Sequence, residues 1–309
     1  MNNKLLVLGT IAYDAIETPF GKTGKILGGC ATYIGLAASH FKTQCGLLSI
    51  IGSDFETQHL DLLKSKKLDL EGVEQLEGEK TFFWSGKYHN DLNTRTTIDT
   101  QLNVLTKFKP KVPEDFKDAS VVLLGNLDPN LQLEVLSQMT QKPDLVVMDT
   151  MNFWIESYRE KLDELIAKVD VISINDEEAR QITQKHSLVE AAKELHAMGP
   201  QYVVIKKGEH GALLFNGNDI FCAPGLPLEE VFDPTGAGDS FIGGFTAYLV
   251  QRGKITFDDM KTAVIVGSAL ASFTVQEFGT KALEKMTFVQ LAQRIQAFKS
   301  LTEFEIEIT

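Results

Sequence analysis

Cysteine is scarce in this chain and positive charge is in deficit. The three cysteines, Cys30, Cys45 and Cys222, are odd in number, far apart and never in C-x-x-C spacing. That argues against a disulfide framework and a cysteine zinc site, and suits a reducing cytoplasm. Lys and Arg total 30 against 42 Asp and Glu, a formal charge of -12. Such a surface repels a phosphate backbone, so neither nucleic acid nor an anionic membrane is expected as a partner. No window approaches the ~20 apolar residues that span a bilayer. The apolar run Leu5 to Leu8 is cut short by Gly9 and Asp14 before a signal-peptide core forms, and reads as a first buried strand.

Several catalytic motifs are missing as well. Gly21-Lys-Thr23 looks like the end of a P-loop, but Ile16 stands where the required glycine belongs. No G-x-G-x-x-G follows the first strand, and neither G-x-S-x-G nor H-E-x-x-H occurs. A dinucleotide-binding dehydrogenase, a simple serine hydrolase and a zinc hydrolase therefore lose their main support.

What is present is a globular α/β pattern. The 309 residues are 43% apolar, enough for a sizeable core, and no linker marks a domain boundary, so 1–309 reads as one domain. Short β-rich runs recur at Leu5 to Leu8, Gly46 to Ile51, Val121 to Leu124, Leu145 to Met148, Val169 to Ile174 and Tyr202 to Ile205, with helix-like stretches between most of them. The alternation predicts a mostly parallel sheet covered by helices. Helical spacing is clear from Leu131 to Met139, from Phe241 to Leu249, through the small-residue stretch Phe257 to Phe278, and around Phe288 to Phe298. Thr81 to Tyr88 and Asn93 to Ile98 break the pattern: aromatic and β-branched residues flank a turn at His89-Asn-Asp-Leu. This predicts an antiparallel hairpin outside the parallel sheet, a cover for a site or else an edge decoration or dimer contact.

The segment richest in chemistry is Phe232-Asp-Pro-Thr-Gly-Ala-Gly-Asp-Ser-Phe241, a turn of small residues running into an amphipathic helix. Gly236, Ala237 and Gly238 put little bulk over their N–H groups, and a helix N-terminus adds partial positive charge, so the loop suits an anionic phosphoryl group. Asp239, in the first helical turn, is placed to accept a proton from a hydroxyl. In phosphoryl transfer such a base mainly orients the nucleophile. The plainer reading makes this a turn with Thr235 or Asp239 as a helix cap.

As a whole the run Asp233 to Phe241 resembles the signature D-T-x-G-A-G-D-[ST]-F of the ribokinase-like (PfkB) carbohydrate kinases, and the resemblance extends over essentially the whole chain. It implies a three-layer α/β/α domain with a small β-strand lid, formed approximately by 12–27 and 80–104, and an ATP- and Mg2+-dependent phosphotransferase with Asp239 as base. Leu27-Gly-Gly-Cys-Ala-Thr-Tyr33 looks like the family's first glycine signature, in which paired glycines, here Gly28 and Gly29, let a substrate hydroxyl approach. Asp14 matches a position where a carboxylate binds substrate hydroxyls. Asn175 and Glu178 match the N-x-x-E element implied to organise magnesium and phosphate, with Glu178 acting through water. Lys206, Lys207, Gly208 and Gly211 resemble the segment beside the nucleotide phosphates, and Ser268 falls near the adenine-facing position. Asp233 and Thr235 correspond to contributors to a monovalent-cation site, K+ in this reading.

The acceptor is less determined. Tyr33 stands where ribose-type relatives carry asparagine, either to stack on a ring or to fill space. The Asp149 to Trp154 segment lacks the family's arginine, which weakens a phosphorylated substrate. Asn126 and Asn152 are candidate hydroxyl ligands, and Arg95 on the lid is a candidate anion contact. The first expectation is a primary hydroxyl of a neutral sugar. A nucleoside kinase is the rival, and a sugar or nucleotide sensor without turnover the alternative from another class. A homodimer through the lid strands is the expected assembly.

Overall fold

The computed structural model describes residues 2–303 and 305. Strands β1 (Lys4–Leu8), β2 (Ala12–Thr18), β3 (Gly21–Lys22), β4 (Ile26–Gly28), β5 (Gln44–Gly52), β6 (Val73–Leu76), β7 (Phe83–Tyr88), β8 (Arg95–Gln101), β9 (Val121–Leu124), β10 (Leu145–Met148), β11 (Val171–Asn175), β12 (Tyr202–Lys206), β13 (Ala212–Asn216) and β14 (Asp219–Ala223) build two sheets. The larger runs β14-β13-β12-β11-β10-β9-β1-β5-β6 and is parallel from β6 to β12. Its inner strands are buried on both faces, which is why they read as unbroken apolar runs rather than alternating ones.

Alternate residues of β1 feed two cores. Leu5 and Val7 pack with the helices Cys30–Ala38, Ala237–Arg252, Phe257–Thr274 and Phe288–Thr302. Leu6 and Leu8 pack with Pro129–Ser137, Arg159–Ile166, Asp176–Thr183 and Leu188–Met198. The result is a three-layer α/β/α domain, and among the described residues no helix is long and apolar enough to cross a membrane. The chain reverses direction of travel through the sheet at β1, flanked by β5 and β9. Crevices open at such a switch point, beyond the carboxyl ends of the strands.

Two features go beyond the alternation seen in the sequence. The sheet ends in an antiparallel hairpin, β13 and β14, joined by Gly217 and Asn218. Gly217 has φ +59 at the first central position, which a type II′ turn reserves for glycine. The second sheet contains β3-β2-β7-β8, with β4 also on β2. The Thr81 to Ile98 hairpin supplies β7 and β8, and β7 runs parallel to β2. At its base Thr81 is fixed by Asp54, whose Oδ1 accepts both its N–H and its hydroxyl at 2.7 Å.

Candidate active site

Among the described residues, six of the eleven helices close their first turn with a side chain or a neighbouring loop. Asp128, Asn175, Ser187, Thr256 and Thr287 each accept an N–H of their own helix. The Cys30–Ala38 helix borrows Thr10, whose hydroxyl accepts the Cys30 N–H at 3.1 Å and whose carbonyl accepts that of Ala31. The Ala237–Arg252 helix lacks such a cap, as do Thr57–Ser65, Asn152–Ser157, Arg159–Ile166 and Lys281–Lys285. The first of these starts from Gly236 at φ +77 with no side-chain cap, and the Gly238 and Asp239 N–H groups have no acceptor among the described residues. Two donors and the positive end of a 16-residue helix thus stand without a partner among the described residues.

The loop ahead of that helix is held from below. Asp233, fully buried, accepts the N–H of Thr235 on Oδ1 at 2.9 Å and that of Gly279 on Oδ2 at 2.8 Å. Both oxygens of this expected cation ligand therefore anchor the loop. The Thr235 hydroxyl donates to the Tyr88 hydroxyl of β7 at 3.1 Å, a bond that joins this loop to the small sheet. At the hairpin tip, Asn93 lies so close to Gly208 that a Cβ there would meet its Oδ1 at 2.6 Å.

Charge converges on Asp239. Lys206, at the end of β12, reaches within 3.3 Å of Asp149 Oδ1. Its ammonium also lies 3.3 Å from where a Gly238 Cβ would sit, so glycine leaves room for it beside the free N–H groups. Burial, and then the charge of Asp149, push the Asp239 carboxyl up to about 7, while Lys206 and Arg95 pull it back. Burial and Asp149 likewise raise Glu178. Lys206 is drawn down by burial but raised overall by Asp149, Glu178 and Asp239, so it remains an ammonium. Arg95 is exposed and makes no ion pair among the described residues.

Asp14 sits in the middle of β2 and is 5% exposed. Burial raises its carboxyl to about 7 against the pull of the Gly29 N–H, with Asp233 and Asp239 adding to the rise. The group closest to Gly28 is Asp14 itself: a Cβ on Gly28 would lie 1.9 Å from Oδ2, and one on Gly29 would strike the Thr10 carbonyl at 2.4 Å. The glycine pair thus lets β2 and its carboxylate pack onto the helix start. Tyr33 is 1% exposed, its ring directly under Gly236, whose Cβ would meet it at 2.4 Å.

The structure thus gathers Asp14, Gly28, Gly29, Tyr33, Glu178, Lys206 and Gly236 to Asp239, with Arg95 reaching the group from β8. Asn175 and Glu178 form a reciprocal cap, each accepting the other's N–H at 2.8 Å. Asn126 accepts the Trp154 indole N–H at 2.9 Å, which directs its amide donors elsewhere. Asn152 and Ser268 are half-buried and make no hydrogen bond to the cluster. Lys207 forms no ion pair among the described residues, and Gly211 is required by the Ala223 carbonyl, 2.1 Å from its would-be Cβ. Asp149 and Tyr88 join the cluster although sequence reasoning gives neither a defined role: Asp149 opens the segment that lacks the family's arginine, and Tyr88 is one of the hairpin aromatics that could cover a sugar face or a nucleobase. Asp149 had a signal, an acid directly after a buried run at the carboxyl edge of the sheet.

Comparison with known proteins adds family and fold. A family model described as pfkB family carbohydrate kinase matches residues 2–286. A cytidine kinase from Thermococcus kodakarensis is 34% identical over 249 residues, covering 79% of this chain and 87% of that protein. A nucleoside kinase from Methanothermobacter thermautotrophicus is 29% identical over 295 residues, 90% of this chain and 91% of that one. The structure of a Burkholderia thailandensis nucleoside kinase in complex with inosine aligns with a TM-score of 0.79 at 21% identity, over 96% of this chain and 98% of the other, a likeness of fold.

Proposed function

The chain belongs to the pfkB family of carbohydrate kinases, and from that premise we propose that it transfers the γ-phosphoryl group of ATP to a primary hydroxyl of a nucleoside, with Asp239 as the base. The observation that carries this reading is the uncapped start of the Ala237–Arg252 helix, where a carboxylate, two free N–H groups and the Lys206 ammonium meet.

In this mechanism the acceptor hydroxyl lies against Asp239. A carboxylate with its pKa raised to about 7 is well matched to collecting a proton near neutral pH. The Gly238 and Asp239 N–H groups, the helix dipole and Lys206 stabilise the charge on the equatorial oxygens of the transferred group. Magnesium, bound with the nucleotide, supplies further charge neutralisation. Glu178 would hold it through water, a site with few protein ligands of the kind magnesium favours. Asn175, Lys207, Gly208, Gly211 and Ser268 keep their assignment to the nucleotide side. The hydrogen bond from Thr235 to Tyr88 and the contact of Asn93 with Gly208 hold the lid on the phosphate-binding loops, an arrangement suited to excluding water from the reaction.

A nucleoside takes precedence over the neutral sugar expected first because the likeness to the cytidine kinase runs over most of the chain. The acids around the acceptor space, Asp14, Asp233 and Asp239, disfavour a phosphorylated acceptor by like-charge repulsion. The test is to incubate the protein with Mg-ATP and cytidine, inosine, ribose or ribose 5-phosphate and identify products by mass. A nucleoside monophosphate is expected. Product from ribose alone would return the acceptor to a neutral sugar, and ligand binding without any product would point to a sensor.

A further inference from the structure

The parallel ladder between β9 and β10 ends where the site begins. Leu124 and Met148 are its last register pair, and the Asp149 N–H donates to the Leu124 carbonyl at 2.9 Å. Beyond that point no backbone bond joins the two chains among the described residues. Gln132, fully buried on the Pro129–Ser137 helix, takes over there. Its amide nitrogen donates to the Gly125 carbonyl at 2.9 Å and reaches the Leu124 and Asp149 carbonyls at 3.3 Å each. The Gly125 and Asp149 carbonyls have no other hydrogen bond among the described residues. Filling space does not explain the residue. Its side-chain oxygen is buried without a partner, a cost that methionine of similar shape would avoid, so the donors on the nitrogen are what the position needs.

Those donors act close to the charges of the site. Asp149, whose carbonyl the amide holds, turns its carboxylate to Lys206 at 3.3 Å, and Lys206 lies 3.3 Å from where a Gly238 Cβ would sit. Contacts thus run from Gln132 through Asp149 and Lys206 to the first turn of the Ala237–Arg252 helix, which carries Asp239. Strand β11 lies between β10 and β12, so the Asp149–Lys206 pair spans a strand and depends on where each strand end is held. The other ionisable groups within reach of Asp239 are Asp14 on β2, Arg95 on β8, and the protonated Cys30 and Tyr33 of the Cys30–Ala38 helix. None of these bonds to Gln132.

We propose that Gln132 is a positioning residue for phosphoryl transfer: by tying the ends of β9 and β10 together it fixes the Asp149 carboxylate, and through it the Lys206 ammonium beside the first turn of the Ala237–Arg252 helix. The effect on rate rests on the kinase reading above, and the effect on charge does not. With the tie removed, Asp149 presses less on Asp239 and Lys206 is freer to pair with it, and both changes favour the ionised Asp239 carboxylate.

Gln132→Met tests it, by carboxyl-carbon NMR titration of the ligand-free protein labelled at aspartate, with the Asp239 signal assigned by its loss in Asp239→Asn. The Asp239 midpoint is expected to fall from about 7 by about half a pH unit or more. The kcat should drop about tenfold or more as the charges lose their places. Val135→Ala, one turn further along the same helix and buried in the same core, is the control: it should lower the melting temperature and leave the Asp239 midpoint in place. If the methionine variant does not fold, Gln132→Asn keeps the donors but shortens their reach and is expected to give the same shift. An unmoved midpoint or an unchanged kcat in a folded Gln132 variant, or an equal shift in Val135→Ala, would overturn the proposal. A shifted midpoint in a protein that transfers no phosphate to any acceptor would sink the kinase reading and leave the Gln132 tie standing.

Discussion

Asp239 sits among charges of both signs, and its protonation should be visible in the rate. With its carboxyl raised to about 7, first by burial and then by Asp149, kcat/KM is expected to fall as pH drops through about 7, where the base becomes protonated. Lys206 pulls that value down, so Lys206→Met should move the acidic limb to higher pH as well as raise the KM for ATP. A pH profile that does not move on this substitution would separate Lys206 from the base. The Gly236 to Asp239 loop was legible because its parts are contiguous. The pairs that complete the site are not: Asp149 and Lys206 lie 57 residues apart, and Tyr88 and Thr235 lie 147 apart. Nothing local in the sequence encodes those contacts, which arise only when the strand ends and the small sheet are brought together.

At the scale of elements, a bond between hydroxyls, Thr235 to Tyr88, joins the β7–β8 hairpin to the loop that precedes the Ala237–Arg252 helix. If that bond couples lid closure to the phosphate site, Tyr88→Phe and Thr235→Val should each lower kcat/KM for the acceptor about three- to tenfold, and the double variant no further than the worse single one. Additive losses would mean that the two residues act independently. The inner strands were readable because each is buried on both faces and apolar throughout. The β13–β14 hairpin was harder to see, since β14 is an edge strand with Asp219, Ile220 and Cys222 exposed, although Asn216-Gly217 marked its turn. The strands β2 to β4 lacked a signal of the same kind, because they are short and one holds the buried carboxylate Asp14.

The whole molecule should show a conflict between stability and activity. Asp14 and Asp239 are raised to about 7, in each case chiefly by burial, and Asp233 and Glu178 are raised as well. Such carboxyls hold protons more tightly folded than unfolded. Their contribution to stability is complete below the unfolded carboxylate range near ~4 and is lost as pH rises through the folded values. The ligand-free protein should therefore lose melting temperature between about pH 5 and pH 8 on account of these groups, while activity rises over the same span. Asp239→Asn should make that decline shallower, and an identical slope in the variant would show that Asp239 is not a buried, proton-retaining group.

The most direct measurement is nucleoside-stimulated ADP release from Mg-ATP by wild type and Asp239→Asn, at matched folding and ATP affinity. Stimulation is expected in the wild type, with a loss of about a hundredfold or more in the variant, the usual contribution of a positioned base. Equal turnover in the two proteins would contradict it.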